Sequence, residues 1–148
     1  MEIQERVNLY KRIFKDAKAV DPVKEFLSKY DLSNMDQWDK LEAIRWLNTE
    51  LGDLYQLSLP VITCWVRDDN YIPETQEIYL TEPELENFLH QFRHHIQNIE
   101  RRYERRGLTV EGNMEYYKVP YEETVYRLRG EDDAIVWSKV ILELASEV

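Results

Sequence analysis

The stretch Leu89-His90-Gln91-Phe92-Arg93-His94-His95-Ile96 decides how the rest of this chain is read. Leu89, Phe92 and Ile96 recur at helical spacing, with Leu85 and Phe88 before them and Ile99 after. That pattern predicts one buried stripe on a long helix. His90 and His94 lie one turn apart on one face of this helix, where two imidazoles can share a metal ion. His95 points about 100° away from His94 and reads as a packed or exposed neighbour of the pair, not a ligand.

Upstream, Thr81-Glu82-Pro83-Glu84 reads as the start of the histidine helix, with Thr81 as cap and acidic residues in the first turn. Gly107 marks its end. Before the cap, residues 61–67 are β-branched and aromatic and predict a strand, Asp68-Asp69-Asn70 a turn, and residues 75–80 a second strand. Cys64 lies in the first of these and reads as a buried strand thiol. The first third is helical: residues 3–20, then a short helix capped by Asp21 with Pro22 in its first position, then one capped by Ser33 or Asn34 and running to about Gln56. Downstream, residues 107–120 read as a loop, and a helix from Pro120 carries Val125, Leu128, Ala134, Ile135, Trp137 and Ile141 on its core face, with Gly130 as a possible break. The expected fold is α+β in a single domain, 1–148. Residues 1–59 form its helical part, and 60–148 a small, mostly antiparallel sheet packed on the histidine helix and a C-terminal helix.

Composition limits what such a chain can do. Its 148 residues suffice for a core, and 43% hydrophobic with 32% charged residues is ordinary globular usage. The formal net charge of −10 argues against a nucleic-acid partner. The local run Arg101-Arg102-Tyr103-Glu104-Arg105-Arg106 reads as the solvated end of a helix. No apolar run approaches the ~20 residues of a membrane helix, and the N-terminus shows no signal-peptide pattern. The expected location is therefore the cytoplasm. A single cysteine excludes an internal disulfide.

The chemistry rests on the histidine pair. Zinc takes neutral imidazole nitrogens and a carboxylate oxygen, and leaves a position open when it is catalytic. Glu131-Asp132-Asp133-Ala134 supplies carboxylates: Glu131 is the candidate third ligand, with Asp132 and Asp133 as adjacent alternatives. Ala134 is small enough to let that helix approach the histidine helix closely.

Two strands, then Tyr79-Leu80-Thr81, then His90-Gln91-Phe92-Arg93-His94, then Glu131-x-x-Ala134, resemble the minimal gluzincin metallopeptidases over roughly residues 60–145. The chain is similar also to the metallopeptidase domain of the ImmA/IrrE group. The resemblance implies zinc held by His90, His94 and Glu131, and hydrolysis of a peptide or protein substrate. In the motif His-Glu-x-x-His the Glu is the general base. Gln91 stands in its place, and a carboxamide does not act as a base near neutral pH. Two explanations remain open: an exchange introduced into an active enzyme, or a relative that lost hydrolysis. Residues 1–59 match neither group; small gluzincins can be zymogens, which makes this segment a candidate for blocking the cleft. Tyr121 and Tyr126 are candidate oxyanion partners. A competing expectation, from ten tyrosines, four tryptophans and the missing base, is a non-catalytic regulatory or protein-interaction module.

Overall fold

A computed structural model describes residues 4, 5, 7, 8, 18–105 and 130–147. In order these give helix α1 (Val20–Lys29), a 3-10 turn (Leu32–Asn34), α2 (Gln37–Tyr55), strands β1 (Val61–Cys64), β2 (Asn70–Ile72) and β3 (Glu77–Leu80), α3 (Leu85–Arg105) and α4 (Gly130–Ser146). Gln4, Glu5, Val7 and Asn8 are also helical, and Val7 is buried. The rest of the expected first helix lies outside the described residues. So do the loop at 107–120, Gly107, the helix start at Pro120, Val125, Leu128, Tyr121 and Tyr126.

The expected α+β order is present. Helices come first, a three-stranded sheet follows, and α3 and α4 close the chain. The sheet is mixed, where mostly antiparallel pairing was expected. Its order is β1-β3-β2, with β1 parallel and β2 antiparallel to β3. The chain leaves β1 at Trp65, which takes a left-handed backbone (φ 63°), and returns along β2 before entering β3. β3 is thus central, and Ile62, Ile78 and Tyr71 align across the three strands on the buried face. That face packs on α3 through β2 and β3. Burial of Cys64, at the end of β1, pushes its thiol above the ordinary cysteine value.

Three helix starts differ from the expected ones, each for a local reason. α1 begins at Val20 because the Ala19 carbonyl already accepts from Val23 N–H at 3.1 Å. Asp21 and Pro22 therefore fall in its first turn, where a missing N–H costs nothing. Ser33 and Asn34 do not cap α2: their side chains donate to the Asp31 carboxylate at 2.6 and 2.5 Å. Asp36 caps instead, accepting from Asp39 N–H at 2.8 Å. Thr81 is likewise engaged, donating its N–H and hydroxyl to Asp69 Oδ1 at 2.7 and 3.1 Å. α3 starts at Leu85, with Phe88 N–H bonded to the Glu84 carbonyl.

The core is continuous through these elements. Phe26, Ile44, Leu47 and Leu51 of the first helices join Phe88, Leu89, Phe92 and Ile96 of α3 and Trp137, Val140 and Ile141 of α4. Burying side chains of this size stabilises by about 1.5–3 kcal/mol each against exposure. α4 lies along α3 and α1. Ala134 is fully buried, which allows the close approach of α4 that Glu131 needs. Among the described residues, no helix is long and apolar enough to cross a membrane.

Candidate metal centre

α3 is amphipathic with a broad buried side, because Leu85, Phe88, Leu89, Phe92, Ile96 and Ile99 follow the helical period. This fixes the rotation of the helix and turns His90 and His94 toward the first turn of α4. That turn carries Glu131, Asp132 and Asp133 directly after Gly130, where acidic residues suit the helix dipole. Glu131 Oε1 lies 2.7 Å from His90 Nε2, and Oε2 lies 3.0 Å from His94 Nε2. One carboxylate therefore forks across both imidazoles, whose ring centroids are 5.0 Å apart.

One ligand atom from each of the three residues falls within 4.8 Å of the other two. Two imidazole nitrogens and a carboxylate oxygen are a donor set that zinc accepts. Ligand atoms around tetrahedral zinc lie about 3.3 Å apart, from bond lengths of about 2.0 Å. The 2.7 and 3.0 Å contacts run to the two oxygens of one carboxylate and are slightly shorter than that. The Glu131 side chain is 65% exposed, so it has room to withdraw. Burial pushes His90 below the usual histidine value, and the opposing pull of the Glu131 charge does not prevail. The neutral form, the one that binds metal, is thereby favoured.

Two clefts meet at this site. One, of about 310 Å³, is lined by Asp69, Asn70, Tyr71, Gln91, His94 and Glu131 among others. The second, of about 400 Å³, includes His90, Gln91, Glu131, Ser138 and Lys139. Gln91, Glu131 and Asp69 border both. Gln91, 7% exposed, thus faces the same space as the three candidate ligands. Neither cleft draws a lining residue from 1–59 among the described residues. The described residues of the helical first third supply core.

Of the alternative carboxylates, Asp133 turns away into the α3–α4 interface. It is 2% exposed and takes Arg93 Nε at 2.8 Å. The Arg93 guanidinium also lies over the Trp137 ring, 5.3 Å from its centroid. Asp132 is half-buried and is not one of the three clustered residues. His95 is fully buried on the sheet side, with Nδ1 2.7 Å from the Tyr71 hydroxyl and Nε2 2.7 Å from the Ser58 carbonyl.

Sequence reasoning passed over Arg93, although a signal was there. Arg93 lies four residues after Leu89 and three before Ile96, so the helical period places it on the buried side. A buried guanidinium needs a carboxylate. Gln97, one turn beyond Arg93 on the same helix, bridges Asp133 and His94. No family model, curated protein or solved structure matches the chain.

Proposed function

We propose that this protein binds a zinc-class divalent cation through His90, His94 and Glu131, in a site of metallopeptidase type that engages peptide without cleaving it. The observation that carries this reading is the convergence of the two Nε2 atoms on a single carboxylate from another helix. The clefts suit an extended peptide. Among the described residues β2 is an outer strand of the sheet, and its residues line one cleft, where a peptide could add by strand pairing. Zinc, when bound, would supply Lewis acidity toward a carbonyl. Gln91 borders both clefts and can donate or accept a hydrogen bond there. It has no carboxylate with which to take a proton, so hydrolysis stops at that residue.

The missing base also favours a second reading of the same site, a non-catalytic regulatory or interaction module. Metal analysis of the purified protein tests the first proposal. It should give one zinc per chain, lost on His90→Ala and on Glu131→Ala. Absence of zinc from the wild type, or zinc indifferent to both substitutions, overturns it. Gln91→Glu then separates the two readings. Peptide cleavage by this variant means an enzyme halted at its base; retained zinc without cleavage means a binding module.

A further inference from the structure

Hydrogen-bond directions along the α3–α4 interface determine which nitrogen of His94 carries its proton. The Asp133 carboxylate, paired with Arg93 at 2.8 and 3.4 Å, only accepts. Gln97 donates Nε2–H to Asp133 Oδ2 at 2.8 Å. This sets the amide, and its Oε1 faces His94 Nδ1 at 2.9 Å. An amide oxygen also only accepts, so Nδ1 carries the hydrogen. The other nitrogen, Nε2, stands 3.0 Å from Glu131 Oε2, a second acceptor. A neutral imidazole with Nδ1–H presents a lone pair there, and lone pair and carboxylate repel unless a cation lies between them.

We propose that Gln97, oriented by the buried Asp133–Arg93 pair, is a positioning residue that sets His94 as the Nδ1–H tautomer and presents Nε2 to a divalent cation. This rests on the metal-binding reading above and adds to it the device that prepares one ligand. It also accounts for Arg93. A fully buried ion pair adds little stability over apolar packing. Here the pair anchors the far end of a chain of hydrogen bonds, Arg93 to Asp133 to Gln97 to His94, that ends at the site. What position 97 must supply is an acceptor aimed at Nδ1.

The test is calorimetric titration of metal-stripped wild type and Gln97→Leu with Zn2+, together with ¹⁵N-resolved NMR of the imidazole N–H groups in the zinc-loaded proteins. Gln97→Leu should weaken zinc by about 10–100-fold, the usual effect of losing such an outer partner. The slowly exchanging His94 Nδ1–H signal of the wild type should be lost with it. If Gln97→Leu does not fold, Gln97→Met, of similar length and without an acceptor at that point, carries the same expectations. Equal zinc affinity of wild type and Gln97→Leu, or a Nδ1–H signal indifferent to that change, overturns the role of Gln97 while leaving the metal site standing. A wild type that takes up no zinc overturns both.

Discussion

His94 and His95 are consecutive residues on one helix, yet they enter opposite kinds of environment. His95 turns to the sheet. Its Nε2–H donates to the Ser58 carbonyl and its Nδ1 accepts from the Tyr71 hydroxyl, which in turn accepts from Asn98 Nδ2 at 2.9 Å. The partners named here are all neutral groups. His94 turns to α4 and meets an acceptor at each nitrogen, Gln97 Oε1 and Glu131 Oε2. A histidine whose partners complement a neutral ring is part of the scaffold; one flanked by two acceptors calls for positive charge. Burial alone does not separate the two, but the direction of each hydrogen bond does.

The strongest way to break this contrast is at Arg93. Arg93→Met takes the guanidinium away from buried Asp133 and should destabilise the protein by about 3–5 kcal/mol, read from urea unfolding. A loss below about 1 kcal/mol would mean that the pair does not hold the interface. Next comes His95→Ala, which removes a buried ring and its hydrogen bonds to the Ser58 carbonyl and the Tyr71 hydroxyl. Its expected cost is about 2–4 kcal/mol with zinc affinity unchanged, so a large loss of zinc binding would erase the distinction between the two histidines.

In the metal-free protein, pH acts on stability through His90. Burial keeps the folded-state value of His90 below 6.5, so as pH falls the unfolded chain takes up that proton first. The stability present above pH 6.5 should therefore fall as pH drops below it, and His90→Gln should flatten the slope between about pH 7.5 and about pH 5.5. An unchanged slope would show that His90 titrates as an exposed histidine. The smallest effect is expected at Thr81→Val. It removes one hydroxyl bond to Asp69 at the cleft rim, costs about 0.5–1.5 kcal/mol, and leaves zinc affinity alone.

The helical stripe of α3 was legible because six apolar residues keep one period, and local periodicity needs no knowledge of the rest of the chain. The α+β order followed from the change of character after Pro60. Pairing within the sheet was not legible: which strand lies at its centre depends on contacts between segments, and β1 and β3 meet only once the chain has looped back through β2. The cap at Thr81 was misread for the same reason. Its hydroxyl looks free to cap in sequence, and is claimed by Asp69 twelve positions earlier. In the candidate site, the residue types and the spacing of His90, His94 and Glu131 could be read directly. The burial of Arg93 could be read from the same period, but its partner Asp133 and the role of Gln97 could not, because they depend on how far α4 is rotated against α3.

Glu131 stands 37 positions along the chain from His94, and at the very start of α4. An ion held by both would act as a clasp across that span. It would restrict the unfolded chain as a cross-link does, and would bind only when α3 and α4 are in register. Folding would then depend on metal supply: at a free concentration one hundred times its dissociation constant, the ion adds about 2.7 kcal/mol. That is a sizeable share of the 5–15 kcal/mol typical of whole domains. If the ion binds, its supply would in that way set how much folded protein persists, independently of any chemistry at the cleft.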